Sequence, residues 1–309
     1  MSVLNASHFH DEQAAYDFVE ARVWPQGRVC PHCGTVDHSG KLAGKSTRVG
    51  VYKCYDCRKP FTVKVGTIFE SSHIALHIWL QAMFLLCSSK KGISSNQLHR
   101  ALGVTLKTAW FLSHRIREAM KEGAFPGQLG GAGVPVEADE TFIGRKKGKE
   151  IRRGSAHKHA VVSLVERGAR VRSFHVQNVN RHTIDKVLTE QVHPASRLMT
   201  DEAHYYKPTG KQFAAHESVN HSKDEYVRGE AHTNTVEGFF SVFKRGMIGI
   251  YQHCGEHHLR RYLAEYDFRY NNRQALGVND TQRTEQALRG IVGRRLTYRT
   301  TNRQVRFYA

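Results

Sequence analysis

The chain has 309 residues, 40% of them hydrophobic, enough for two or three folded units with at least one sizeable core. Its 46 Lys and Arg against 28 Asp and Glu leave a formal charge of +18, a field that draws polyanions and favours nucleic acid over a small neutral substrate, a basic but otherwise ordinary enzyme being the alternative. No basic segment followed by an apolar run opens the chain, and the longest apolar stretch, residues 74–87, is too short and too interrupted by His77 and Gln81 to span a bilayer, so an intracellular, cytoplasmic protein without a membrane partner is expected.

Residues 11–23 read as a short amphipathic helix ended by Pro25 and Gly27. Short strands and turns follow from 28 to about 70, around Cys30-Pro-His-Cys33 and Cys54-Tyr-Asp-Cys57, two pairs separated by twenty residues. Two such knuckles can deliver four thiolates to a tetrahedral Zn²⁺, and without a secretion signal the pairs read as a metal site rather than a disulfide framework. Gly34 suits the tight turn after the first pair, and residues 61–63 suit a strand after the second. Four thiolates leave no open position, so this zinc is structural and His32 and His38 are expected to be exposed rather than ligands. Arg28, Lys41, Lys45, Arg48, Lys53, Arg58 and Lys64 surround the ribbon, where they can meet DNA phosphates or serve packing alone.

Residues 73–122 read as helical. Within them, residues 94–105 give a short helix, a turn at Gly103 and the cap of a second helix beginning with Lys107 and Thr108. This is a helix-turn-helix pattern, whose second helix would present Lys107 and Thr108 to a major groove, although a hairpin used for packing has the same signature. Residues 123–133, with five glycines and a proline, mark a linker.

Beyond the linker the pattern becomes α/β. Strands are expected at 134–143, 160–165, 171–176, 197–200 and 214–220, and helices at 181–191, 234–248 and 256–272. The stripe Leu259, Tyr262, Leu263, Tyr266 and Tyr270 has the spacing of a buried helix face. Three carboxylates stand where chemistry can use them. Asp139 shares one strand face with Glu137, Asp201 follows an apolar strand, and Glu237 lies on the helix opening at Asn234. Lys244 is seven residues, nearly two turns, beyond Glu237, so both project from one face with Asn234 and Ser241. Carboxylates clamping two divalent ions suit phosphodiester hydrolysis and transfer, and hard oxygen ligands select Mg²⁺ or Mn²⁺. Each has a plainer reading: Asp139 as a turn or ion-pair residue, Asp201 as a helix cap, and Asn234 with Glu237 as a capping box.

The ribbon together with VEADETFIG, TDEAHYY, HTNTVEGFFSVFKRGMIGIYQH and HHLRRYLAEYDFRYNN resembles the DDE-type insertion-sequence transposases of the ISXO-like, Merlin-related group, from about residue 14 to 275. The resemblance implies an RNase H-like catalytic domain with Asp139 on its first strand, Asp201 after the fourth and Glu237 on a late helix. Lys244 would match the group's basic residue, and Asn234 is the substitute for Glu237 because that group varies between Glu and Asn at its third position. The expected order is an N-terminal helix and zinc ribbon over 1–70, a helix-turn-helix-like segment over 71–122, the linker, the catalytic domain over 134–288, and a basic tail over 289–309. Such an enzyme would use Mg²⁺ or Mn²⁺ at Asp139, Asp201 and Glu237 to cut element-end DNA and join the 3′-hydroxyl to target DNA. It would work as a homodimer or larger assembly on paired ends and be nucleoid-associated when bound. Arg145, Lys146, Lys147, Arg152 and Arg153 would track the DNA backbone, unless that run is a solvated hairpin loop. The rival readings are a zinc-ribbon DNA-binding regulator with an idle nuclease-like domain and a structure-selective nuclease or resolvase.

Overall fold

Asp11 starts the first helix, α1 (Glu12–Val23), by accepting from the Ala14 N–H at 2.7 Å. A computed structural model describes residues 2–123 and 127–297 of the chain. Three short antiparallel strands follow α1 in the order β1 (Ser39–Lys41), β2 (Tyr52–Cys54) and β3 (Pro60–Phe61). Trp24, Tyr52 and Phe61 pack beside the cysteines. The next helix, α2 (Leu76–Ser88), buries Leu76, Trp79, Leu80, Met83 and Leu86. Its free N-terminal N–H groups at Leu76 and His77 are taken by the Glu12 carboxylate at 2.8 and 3.1 Å. Helices α3 (Ser95–Leu102) and α4 (Leu106–Ala119) are capped by Ser94 and Thr105, and Gly103 between them has φ +65°, the left-handed conformation a glycine supplies without strain.

The second part is built on a five-stranded sheet. Its members in chain order are β4 (Pro135–Ile143), β5 (His159–Glu166), β6 (Val171–Val176), β7 (Arg197–Thr200) and β8 (Ala215–Ser218), and their spatial order is β6-β5-β4-β7-β8. The first three pair antiparallel, and β7 and β8 run parallel to β4, which is the RNase H-like arrangement. Helices α5 (Arg181–Gln191) and α6 (Tyr206–Gly210) cover one face, and α7 (Asn234–Gly246) and α8 (Glu256–Asn271) the other. Val136, Ala138, Val162 and Leu164 meet Ile184, Leu188 and Tyr206 on the first face; Ile143, Val161 and Val165 meet Val236, Phe243, Leu259 and Tyr266 on the second. The period-2 alternation of β4 thus sorts its residues between two cores. The expected stripe of α8 is buried, with Tyr270 partly so.

These segments form two units, one taking residues up to Ser88, Ser94–Met120 and residues from Asp280 on, the other Ser89–Ile93 and Lys121–Asn279. The expected division keeps 1–70 apart from 71–122 and carries the catalytic domain to 288. In the structure the helix α9 (Asp280–Arg289) groups with the first unit, where Glu285 accepts from Arg22 at 2.6 Å and Arg283 donates to the Cys87 carbonyl at 2.9 Å. Residues 124–126 of the expected linker and 298–309 of the expected tail lie outside the described residues. Among the described residues no helix is long and apolar enough to cross a membrane.

Candidate active site

Asp139 sits on the central strand β4, opposite Ser163 of β5. On its other side β4 pairs with β7 as Val136↔Leu198 and Glu137↔Met199, and carrying that parallel register two residues further brings Asp201 alongside Asp139. Oxygen atoms of Asp139, Glu140 and Asp201 lie within 4.8 Å of one another. One oxygen of Asp139 accepts from the Glu140 N–H at 2.7 Å, and one of Asp201 from the Ala203 N–H at 3.0 Å. Glu140, which sequence reasoning passed over, accepts from Tyr206 Oη at 2.8 Å and from Tyr205 Oη.

Such crowding is electrostatically costly, since two like charges about 4 Å apart repel by about 4 kcal/mol at an effective dielectric near 20. Burial, then the charges of Glu140, Asp201 and Glu237, push the Asp139 carboxyl up to about 8. Burial raises Asp201 too, with Glu202 and Glu237 adding to it and His221 opposing, and burial raises Glu140 against the two tyrosine hydrogen bonds. A divalent cation would relieve this strain, and a set of carboxylate oxygens fits a hard ion such as Mg²⁺ or Mn²⁺.

The helix that carries Glu237 is tied to the same strand. Glu137 of β4 is wholly buried and accepts from the N–H groups of Thr235 and Val236, both at 2.9 Å, and from Thr235 Oγ1 at 2.7 Å. Its charge thereby meets the positive end of the α7 dipole, while Arg167 Nε pairs with it at 2.6 Å. Glu137 and not Asn234 fills the capping role at this helix start; the N-cap is Thr233, and Asn234 is an exposed first residue. Glu237 accepts from Thr233 Oγ1 at 2.7 Å, and His221 Nε2 lies 3.6 Å from its carboxylate. The Glu202 carboxylate holds His221 there by accepting from the N–H groups of His221 and Ser222. Lys244 is exposed two turns along α7. The residues missed were therefore Glu140 and His221, neither marked by strand or helix periodicity, whereas Glu137 was placed on the Asp139 face of the strand without a role.

In the first unit, the sulfurs of Cys30, Cys33, Cys54 and Cys57 all lie within 4.8 Å of one another, the donor set of a structural zinc. His32 and His38 are exposed, His38 pairing with Asp56 at 2.7 Å. Two of the basic residues around the ribbon are engaged within the unit: the Arg28 guanidinium stacks 3.8 Å above the Tyr52 ring, and Lys64 Nζ donates to the Ser72 carbonyl at 2.9 Å. Lys107 is exposed in the first turn of α4, and the Thr108 hydroxyl lies 2.9 Å from that of Thr105. In the second unit, residues 144–158 connect β4 and β5. There Arg145 donates to the Lys149 carbonyl, Lys146 Nζ to the Gln177 carbonyl at 3.1 Å, and Arg152 pairs with Glu150 at 3.0 Å, while Lys147 and Arg153 are exposed.

Residues 10–60 match the model of the transposase zinc-ribbon domain and residues 128–271 that of the ISXO2-like transposase domain. A protein described as an uncharacterized protein in transposable element ISH50, from Halobacterium salinarum, is 27% identical over 286 residues, covering 84% of this chain and 91% of that one. A chain of the cryo-EM structure of the simian T-cell lymphotropic virus intasome in complex with PP2A regulatory subunit B56 gamma aligns at 13% identity and a TM-score of 0.29. That alignment spans 60% of this chain and 64% of that one, too loose a likeness to carry weight. With a zinc ribbon whose four cysteines converge and an RNase H-like sheet beneath a carboxylate cluster, both within the matched segments, the chain belongs to the ISXO2-like transposases.

Proposed function

We propose that this transposase cuts the ends of its element and joins the freed 3′-hydroxyl to target DNA in one site, with Asp139, Asp201 and Glu237 holding divalent metal. The convergence of Asp139, Glu140 and Asp201 within 4.8 Å carries this reading; the influence of the Glu237 charge on both aspartates supports adding it as the third member. Two divalent ions held by these carboxylates would activate the attacking oxygen and stabilise the leaving one. Asp139, in the middle of β4, and Asp201, directly after the parallel strand β7, supply anionic oxygens from a rigid base that costs little reorganisation. Glu237 approaches from α7, where Glu137 fixes the start of the helix and Thr233 and His221 orient the carboxylate. Asn234, exposed one turn earlier, is the substitute should Glu237 prove dispensable.

Lys244, on the same helix, steadies a DNA phosphate near the scissile bond. Arg145, Lys146, Lys147, Arg152 and Arg153 track the backbone, with Arg145 and Lys146 partly committed to loop carbonyls. Lys107 and Thr108 meet the element end from α4. Two ends must be held together, so the working form is a dimer or larger. The test is incubation with DNA carrying the element's own termini and Mg²⁺. Cleaved ends and joined products are expected, both lost in Asp139→Ala and Asp201→Ala while end binding persists. Cutting of branched DNA without any end joining would overturn the transposition chemistry.

A further inference from the structure

A second cluster of ligand-type side chains lies on the same face of the sheet as α7 and α8, away from the carboxylates. His159 opens β5 opposite Ile143, whereas Asp139 pairs with Ser163. Four residues of strand, about 13 Å, therefore separate the two places. His175 of β6 pairs with Val161, which makes His159 its diagonal neighbour on one face of the antiparallel pair. Their rings are 5.5 Å apart and edge to face. Glu256, the first residue of α8, reaches between them, with one oxygen 4.0 Å from His159 Nδ1 and the other 4.0 Å from His175 Nε2.

We infer that His159, His175 and Glu256 form a second zinc site, which ties the start of α8 to the β5–β6 hairpin. His159 is only 3% exposed, yet its Nδ1 has no hydrogen-bond partner, and neither does the buried Nε2 of His175. Buried ring nitrogens are ordinarily satisfied, and these two aim at the same carboxylate from a distance too long for a hydrogen bond. Two imidazoles and a carboxylate form a familiar donor set for Zn²⁺, with a fourth position left for water. Bonds of about 2.0 to 2.1 Å need tetrahedral donors about 3.3 Å apart, a closing that the half-exposed Glu256 side chain can supply. The groups facing His175 are His159, Glu256, Arg260 and Lys146. Nitrogen donors select zinc over Mg²⁺.

The experiment is metal analysis of the purified full-length chain, followed by Co²⁺ substitution. About two zinc ions per chain are expected, one in the four-cysteine ribbon and one in the new site. His175→Ala and Glu256→Gln should each hold about one, and should lose the cobalt absorption bands that lack thiolate charge transfer while keeping those that have it. Glu256→Gln changes a half-exposed residue at a helix start, so retention of its circular dichroism separates loss of metal from loss of fold. One zinc per chain in the unaltered protein, or a second zinc retained in both variants, would overturn the site.

Discussion

Burial and neighbouring charge both press on Asp139, and its neighbour Glu140 shares the strain. Because Glu140 adds negative charge beside Asp139 and Asp201, Glu140→Gln should raise the Mg²⁺ concentration needed for half-maximal cleavage several-fold while saturating metal restores much of the rate. A metal titration of end cleavage checks this, and an unchanged titration would remove Glu140 from the site. A different carboxylate sets a pH dependence. Asp267 of α8 accepts from the Ser173 N–H at 2.8 Å and from its hydroxyl at 2.7 Å, yet burial, with Glu122 adding and Arg172 opposing, pushes it up to about 7. The folded value is above the unfolded one near 4, so its contribution to stability is complete below about pH 4, is lost as pH rises towards 7 and is level above that. Asp267→Asn should therefore lose less stability than the unaltered protein between pH 5 and pH 8 in urea unfolding; parallel losses would contradict the assignment. Asp139 and Asp201 were legible in sequence because each sits on or directly after an apolar strand. Glu140 was not, since strand alternation turns it to the opposite face, towards Tyr205 and Tyr206, and only the folded arrangement brings its oxygens near those of Asp139 and Asp201. His221 was not legible either: its position depends on Glu202, nineteen residues earlier.

At the scale of elements, β4 and α7 behave as one device. Glu137 accepts the first free N–H groups of α7 and neutralises Arg167 without any exposure to water. Breaking a buried pair of this kind leaves an uncompensated charge and costs about 3 to 5 kcal/mol. Glu137→Ala should lower unfolding free energy by roughly that amount and reduce cleavage through misplacement of Glu237, as measured by denaturant unfolding beside the cleavage assay. The limits of β6, α5 and β7 coincide with those read from periodicity, because each is a regular apolar pattern between turn signals. The expected helix over 234–248 leaves α geometry after Gly246, where a π-helical turn, Met247–Tyr251, ends at Gln252 with φ +58°. Hydrophobic spacing does not distinguish one kind of turn from the other. α9 escaped notice because its residues are mostly polar and its packing in the first unit, through Arg283 and Glu285, is set by partners distant in sequence.

For the molecule as a whole, charge and zinc set the remaining expectations. A chain of +18 that neutralises several phosphates should bind end DNA about tenfold or more weaker between about 50 and 200 mM salt; filter binding across that range checks it, and salt-independent affinity would argue against backbone contacts. Zinc stripping should unfold the ribbon, whose small core of Tyr52, Phe61 and the cysteines cannot stand without metal, while the RNase H-like sheet keeps its own cooperative transition by calorimetry. The most direct test of the account replaces a carboxylate with a softer ligand. Asp139→Cys and Asp201→Cys should fail to cleave element ends with Mg²⁺ and regain cleavage with the more thiophilic Mn²⁺, as expected of groups that hold the catalytic metal. Cleavage by either variant with Mg²⁺ at the rate of the unaltered protein would contradict it.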